Sequence, residues 1–355
     1  MKKNHPTNDK PTLINSILKF RSKPLIRPGQ GNQLSDNHSI QTRSNYSIAG
    51  TLLLLHTVLY LLADLLLQNL PELSSILYSD SIRSFAISGL ATQGFLILLP
   101  VLIVMAVFHT SASNVIGDRP LPGTILLSFV TGIPAAAVFQ GLNNLLIYQL
   151  LRMGWQIPVV TTPYSFNTNI IWSAPLSIKA VIIIVSALLP AIAEELMFRG
   201  VIQGSLAGRS RVAVIIFWQA VAFMLFHLDP LFILPPFMTG LLLGYLRHKS
   251  QSLLAPIVCH ISLNISLLVL NPLLPRFTKS LLEISSETTR SLLYASLIAS
   301  CIAAVALVPL IFIIGHQYKS PTPAKVRNLL FPGDWKLILA MSIMIVTIII
   351  RYYNS

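Results

Sequence analysis

Of the 355 residues, 54% are hydrophobic and 10% charged, against about 25% charged in a soluble domain, so an ordinary water-soluble enzyme is excluded. The formal net charge of +13 would suit nucleic acid if it were clustered. Lys and Arg instead fall in alternate loops between apolar runs, which makes the charge a matter of membrane topology and anionic lipid, with no nucleic acid implied.

Residues 1–45 form the first predicted region, a basic cytoplasmic tail. Lys2, Lys3, Lys10, Lys19, Arg21, Lys23, Arg27 and Arg43 all precede the first apolar run. That polar start does not read as a cleavable signal. Within it, "LINSILKFRSK" (13–23) interleaves Leu13, Ile14, Ile17, Leu18 and Phe20 with basic residues. It reads either as a helix lying on the membrane surface or as a disordered basic tail.

Residues 46–355 read as one transmembrane domain. Apolar runs near the length of about 17–25 residues that a helix needs to cross a bilayer fall at about 48–67, 86–108, 124–151, 179–207, 212–228, 231–247, 252–271, 291–315 and 335–351. The sixth is the least secure, because Pro235 and Pro236 interrupt it and it is short. The predicted fold is therefore all-α, a polytopic transmembrane helical bundle of eight to nine spans. After the tail, basic residues on the same side are Arg119, Arg209, Arg211, Arg247, Lys249, Lys319, Lys325, Arg327 and Lys336. The other side holds only Arg83, Arg152, Arg276, Lys279, Arg290 and Arg351. This asymmetry predicts a cytoplasmic N-terminus and, with nine spans, an external C-terminus. The expected location is the plasma (inner) membrane.

In the early spans, His56, Asp64, Gln140, Asn143 and Asn144 are scattered, and interhelical hydrogen bonding is the expected use of each. Cys259 and Cys301 lie in apolar runs and provide neither a disulfide framework nor metal-ligand spacing. The middle of the chain is patterned. Glu195 and Arg199, Phe223 and His227, and His260 and Asn264 are each four residues apart, so each pair shares a helix face. Ionisable residues inside a membrane are costly and are functional suspects by default.

In "EELMFRG" (194–200), Glu195 and Arg199 stand in the favourable order for an ion pair. Glu194 is then turned about 100° away on the helix, where it suits a general base or acid. Pro190 removes the amide that would bond the Ser186 carbonyl, which predicts a kink beside Glu194. Pro256 stands in the same relation to His260, unless it occupies that helix's first turn. If the fourth span runs through "VIQGSLAG" to about Ala207, then Glu194, His227 and His260 lie roughly 20, 24 and 17 Å from the cytoplasmic end. They can then meet in one layer, and the expected active site lies in the membrane core. For any single pair, a buried ion pair or a packing histidine is the plainer reading. Six such groups at compatible depths favour catalysis.

These motifs resemble those of the CAAX protease and bacteriocin-processing (CPBP, or Abi) intramembrane proteases, the family that includes the Ras-converting CAAX endopeptidase. "EELMFR" corresponds to its EExxxR, "FMLFH" to FxxxH and "HISLN" to HxxxN, over about residues 176–271. The resemblance implies hydrolysis of a peptide bond in a membrane protein or lipidated peptide substrate. It implies Glu194 as base, His227 sharing the attacking water, His260 and Asn264 at the oxyanion, and Glu195 and Arg199 in support. A zinc ion on Glu194, His227 and His260 is the alternative. Without HExxH, and with the histidines on different helices, a reaction with no tightly held metal is preferred. The competing function is a non-catalytic membrane scaffold or bacteriocin self-immunity protein using the same cluster for binding. A transporter would string its ionisable groups along a path.

Overall fold

A computed structural model describes residues 34–79, 81–155, 171–270, 287–318 and 333–354; the segment 13–23 lies outside them. Two compact units divide at Thr42 and Arg43. In the first, the described residues 34–42 are helical. The second, from Arg43 onward, holds every side-chain contact described below.

Among the described residues the structure is helical, with no strand. Helix α1 (Leu34–Asn69) is followed by the short α2 (Pro71–Tyr78), then α3 (Ile82–Val107), the short α4 (Ala112–Ile116) and α5 (Pro122–Arg152). Next come α6 (Leu176–Leu206), α7 (Val212–Phe226), α8 (Leu234–Ser250) and α9 (Leu254–Leu270). The last two are α10 (Glu287–Gln317) and α11 (Trp335–Asn354). Among the described residues, six segments are long and apolar enough to cross a membrane: Ile48–Asn69, α3, α5, α6, Thr289–Gln317 and Trp335–Tyr352. Helices α7, α8 and α9 have 15, 17 and 17 residues, or about 22–26 Å, short of a hydrocarbon core of about 30 Å. Pro235 and Pro236 do not interrupt α8. They sit in its first turn, where a missing amide costs nothing.

Helix α5 is the spine of the bundle and packs on α8, α9 and α10. Its Gly132 permits a close approach of backbones: a Cβ there would lie 2.5 Å from the Cys259 carbonyl oxygen and 2.7 Å from the Leu263 amide nitrogen. Without a hydrophobic driving force between helices in lipid, such small-residue contacts supply the packing. Helix α11 lies beside α1 and runs in the same direction. Near the start of α11 and of the apolar span Ile48–Asn69 the Gly50 amide donates to Asp334 at 2.9 Å, and near their ends Arg351 donates to Asp64 at 3.1 Å. Asp334 also accepts from the Lys336 amide at 3.1 Å, capping α11.

Helix α6 is not regular. Ile184–Leu188 and Leu196–Ile202 are π-helical turns, wide turns that recur at functional sites. The first lies just before Pro190, whose missing amide leaves the Ser186 carbonyl without its usual partner. The second begins directly after Glu195. Behind it, Phe198 and Phe223 pack with Leu52, Leu53, Ile97, Ala340 and Met344 in the larger apolar core.

Several early polar residues bond across elements. His56 Nδ1 lies 2.6 Å from the Leu96 carbonyl oxygen, and Asn143 donates to the Leu231 carbonyl at 2.9 Å. Gln140 departs from the interhelical expectation: it donates to Asn144 on its own helix, at 2.9 Å.

Candidate active site

The polar centre starts from α6. Because that helix continues to Leu206, Glu194 lies about 18 Å from its end, well inside the bundle. Arg199 Nη1 donates to Glu195 Oε1 at 2.5 Å, and neither side chain is exposed. A buried charge requires such a partner. The guanidinium carbon also sits 4.4 Å from the centre of the Phe223 ring, a cation–π contact. Arg199 Nη2 reaches the Thr239 carbonyl at 3.5 Å. Arg199's own carbonyl, in the second π-helical turn, accepts from Arg247 at 3.5 Å.

His260 comes from α9 and is buried. Its Nδ1–H donates to Glu195 Oε1 at 2.9 Å, while Nε2 faces Glu194 Oε2 at 3.9 Å. One imidazole therefore stands between the two adjacent carboxylates. Glu195 carries both Arg199 and His260, a link between α6 and α9 that helical spacing does not specify.

His227 ends α7. Its Nδ1–H donates to the Phe223 carbonyl at 2.8 Å, which assigns the proton of the neutral ring and leaves Nε2 as acceptor. The next residue, Leu228, has φ +49°, a left-handed conformation that costs about 1–2 kcal/mol for an L-residue. Burial of its side chain in the apolar core holds it there. This turn stops the helix at His227 and fixes where its ring points. The Phe223 ring lies edge-on to both imidazoles, with centroids 4.9 Å from His227 and 6.1 Å from His260.

His227, His260 and Asn264 line one cavity of about 90 Å³, enough for several waters or part of a peptide. Phe139, Phe223 and Phe232 form apolar walls. Glu194 is one contact behind, next to His260 Nε2. Glu195 and Arg199 lie deeper, reached through His260 and Phe223. Two polar lining residues, Gln140 of α5 and Thr239 of α8, were not candidates from the sequence. Gln140 left a faint signal, an amide one turn from Asn144 in an apolar span.

Among the described residues, no three His, Cys, Asp or Glu side chains are grouped so as to hold a metal ion. Glu194, His227 and His260 as placed do not fit a three-ligand zinc site, and His260 presents one nitrogen to each carboxylate.

Fold and site define a multi-pass helical membrane protein with a buried carboxylate–imidazole centre opening on a small cavity. Residues 176–266 match the family described as type II CAAX prenyl endopeptidase Rce1-like, so this segment is similar to that family. The match covers about a quarter of the chain. No curated protein and no solved structure matches it.

Proposed function

We propose that the protein is an intramembrane endopeptidase that hydrolyses a peptide bond of a membrane-associated or lipidated substrate, with Glu194 as its base. The observation that carries this reading is the placement of His260. It is tied to Glu195 at 2.9 Å, faces Glu194 at 3.9 Å, and lines the same cavity as His227 and Asn264. Glu194 takes a proton from a water that His227 Nε2 helps to hold. The water oxygen bonds to the scissile carbonyl carbon, and the negative charge passes to the carbonyl oxygen. Asn264 and His260 donate to that oxygen. With Nδ1–H committed to Glu195, His260 donates from Nε2 only as imidazolium, a form balanced by the carboxylates on either side. When the intermediate collapses, the C–N bond breaks and the proton on Glu194 goes to the leaving amine. Glu195 and Arg199 hold the His260 ring in place. No step in this scheme runs through a metal.

The scheme is tested by cleavage in detergent, using a farnesylated CaaX-type peptide and an unlipidated transmembrane peptide, with and without a strong chelator. The Asn264→Ala variant is expected to lower kcat about 100- to 1,000-fold with KM nearly unchanged, as for removal of one oxyanion donor. A wild-type rate in that variant removes Asn264 from the reaction.

The proposed orientation places the N-terminus in the cytoplasm, in the plasma (inner) membrane. The parallel course of Ile48–Asn69 and α11 supports an odd number of crossings. In intact cells, an impermeant thiol reagent is expected to label a cysteine placed at Ser355 and to miss one placed at Ser35; the reverse pattern inverts the topology.

A further inference from the structure

The cavity takes one polar wall from α5, outside the segment that matches the endopeptidase family. Gln140 is 1% exposed and lines the same cavity as His227, His260 and Asn264. Its Nε2 is spent on Asn144 Oδ1 at 2.9 Å, which fixes the plane of the amide. Its Oε1 is buried and has no hydrogen-bond partner. A buried acceptor is unfavourable until something completes it.

We infer that Gln140 Oε1 accepts a backbone N–H of the bound peptide beside the scissile bond, so that the site selects substrates by their main chain as well as their side chains. The inference rests on the endopeptidase reading above. A peptide entering the cavity brings alternating carbonyl and amide groups away from water. His260 and Asn264 are donors and serve a carbonyl. A neighbouring N–H needs an acceptor, and both Glu194 and Glu195 are turned toward His260. A neutral amide oxygen meets that need without placing a third charge near Glu194. The anchor rejects peptides with proline at the recognised position, because proline has no N–H to offer.

The test uses the full chain in detergent and a farnesylated CaaX-type peptide series, each member N-methylated at one amide flanking the scissile bond. In wild type, methylation at one position is expected to lower kcat/KM about 10- to 100-fold, the range for stranding one buried polar partner. In Gln140→Leu, the unmodified peptide loses a similar factor and methylation at that position costs nothing more. Other positions keep their wild-type sensitivity. A wild-type rate in Gln140→Leu, or equal further losses at every position, overturns the inference, as it does if Oε1 holds only a water. Gln140→Met, closer in shape, replaces the leucine variant if that fails to fold. If neither folds, the wild-type scan decides, and the absence of a single sensitive position overturns the inference. If wild type cleaves nothing, the endopeptidase reading fails and fluorescence anisotropy with the same peptides judges Gln140 alone. A methylation penalty on binding that is lost in Gln140→Leu supports the anchor; equal binding, or none, ends it.

Discussion

Replacing Glu194 with Gln is expected to abolish peptide cleavage while leaving the protein folded. The carboxamide has nearly the same volume and removes only the capacity to take a proton, and general base catalysis contributes about 100- to 10,000-fold by itself. Packing should be little disturbed, since the nearest polar contact of Glu194, to His260 Nε2, is already 3.9 Å long. The measurement pairs single-turnover cleavage with a thermal melt in detergent. Loss of turnover at an unchanged melting temperature fits the base. A binding scaffold makes a different forecast, because it tolerates the isostere and keeps its partner. Full cleavage by Glu194→Gln would end the assignment of the base.

The second large effect is on stability. Arg199→Leu leaves Glu195 with only the His260 ring, since its Oε1 loses its 2.5 Å partner and its Oε2 already has no hydrogen-bond partner. Breaking one side of a buried ion pair costs about 3–5 kcal/mol, and here the cation–π contact with Phe223 goes with it. The variant is expected to accumulate poorly and to melt well below wild type. Adding Glu195→Leu removes the stranded charge and is expected to recover much of that loss without restoring cleavage, since His260 is then unheld. Normal accumulation and melting of Arg199→Leu alone would mean that the pair contributes little to the fold.

Relations within one helix were legible in the sequence. The four-residue step from Glu195 to Arg199 is set by helix geometry, and so is the step from Phe223 to His227, where the ring bonds back to the Phe223 carbonyl. The all-α class followed from apolar runs of bilayer length. Relations between helices were not legible, because periodicity fixes a face but not the rotation or crossing that aims it. Nothing in the spacing says that His260, 65 residues away, meets Glu195 and turns only its second nitrogen to Glu194. Gln140 was hidden for the same reason: an amide bonded to its own helix and an amide facing a cavity look identical in sequence. Pro235 and Pro236 misled in the opposite direction. Prolines inside an apolar run suggest a break, whereas the turn after His227 places them at the start of α8.

The clasp between Gly50 and Asp334 bears on the order of events during synthesis. The apolar packing behind Arg199 combines Leu52 and Leu53 with Ala340 and Met344, residues nearly 300 positions apart in the chain. The motif-bearing helices therefore emerge from the ribosome well before the last helix that packs behind them. Until that helix inserts and docks, Leu52 and Leu53 lack the packing that Ala340 and Met344 bring to the cluster. Completion of the bundle thus waits for the C-terminal helix, and a product truncated before residue 335 would leave the early helices without their closing partner.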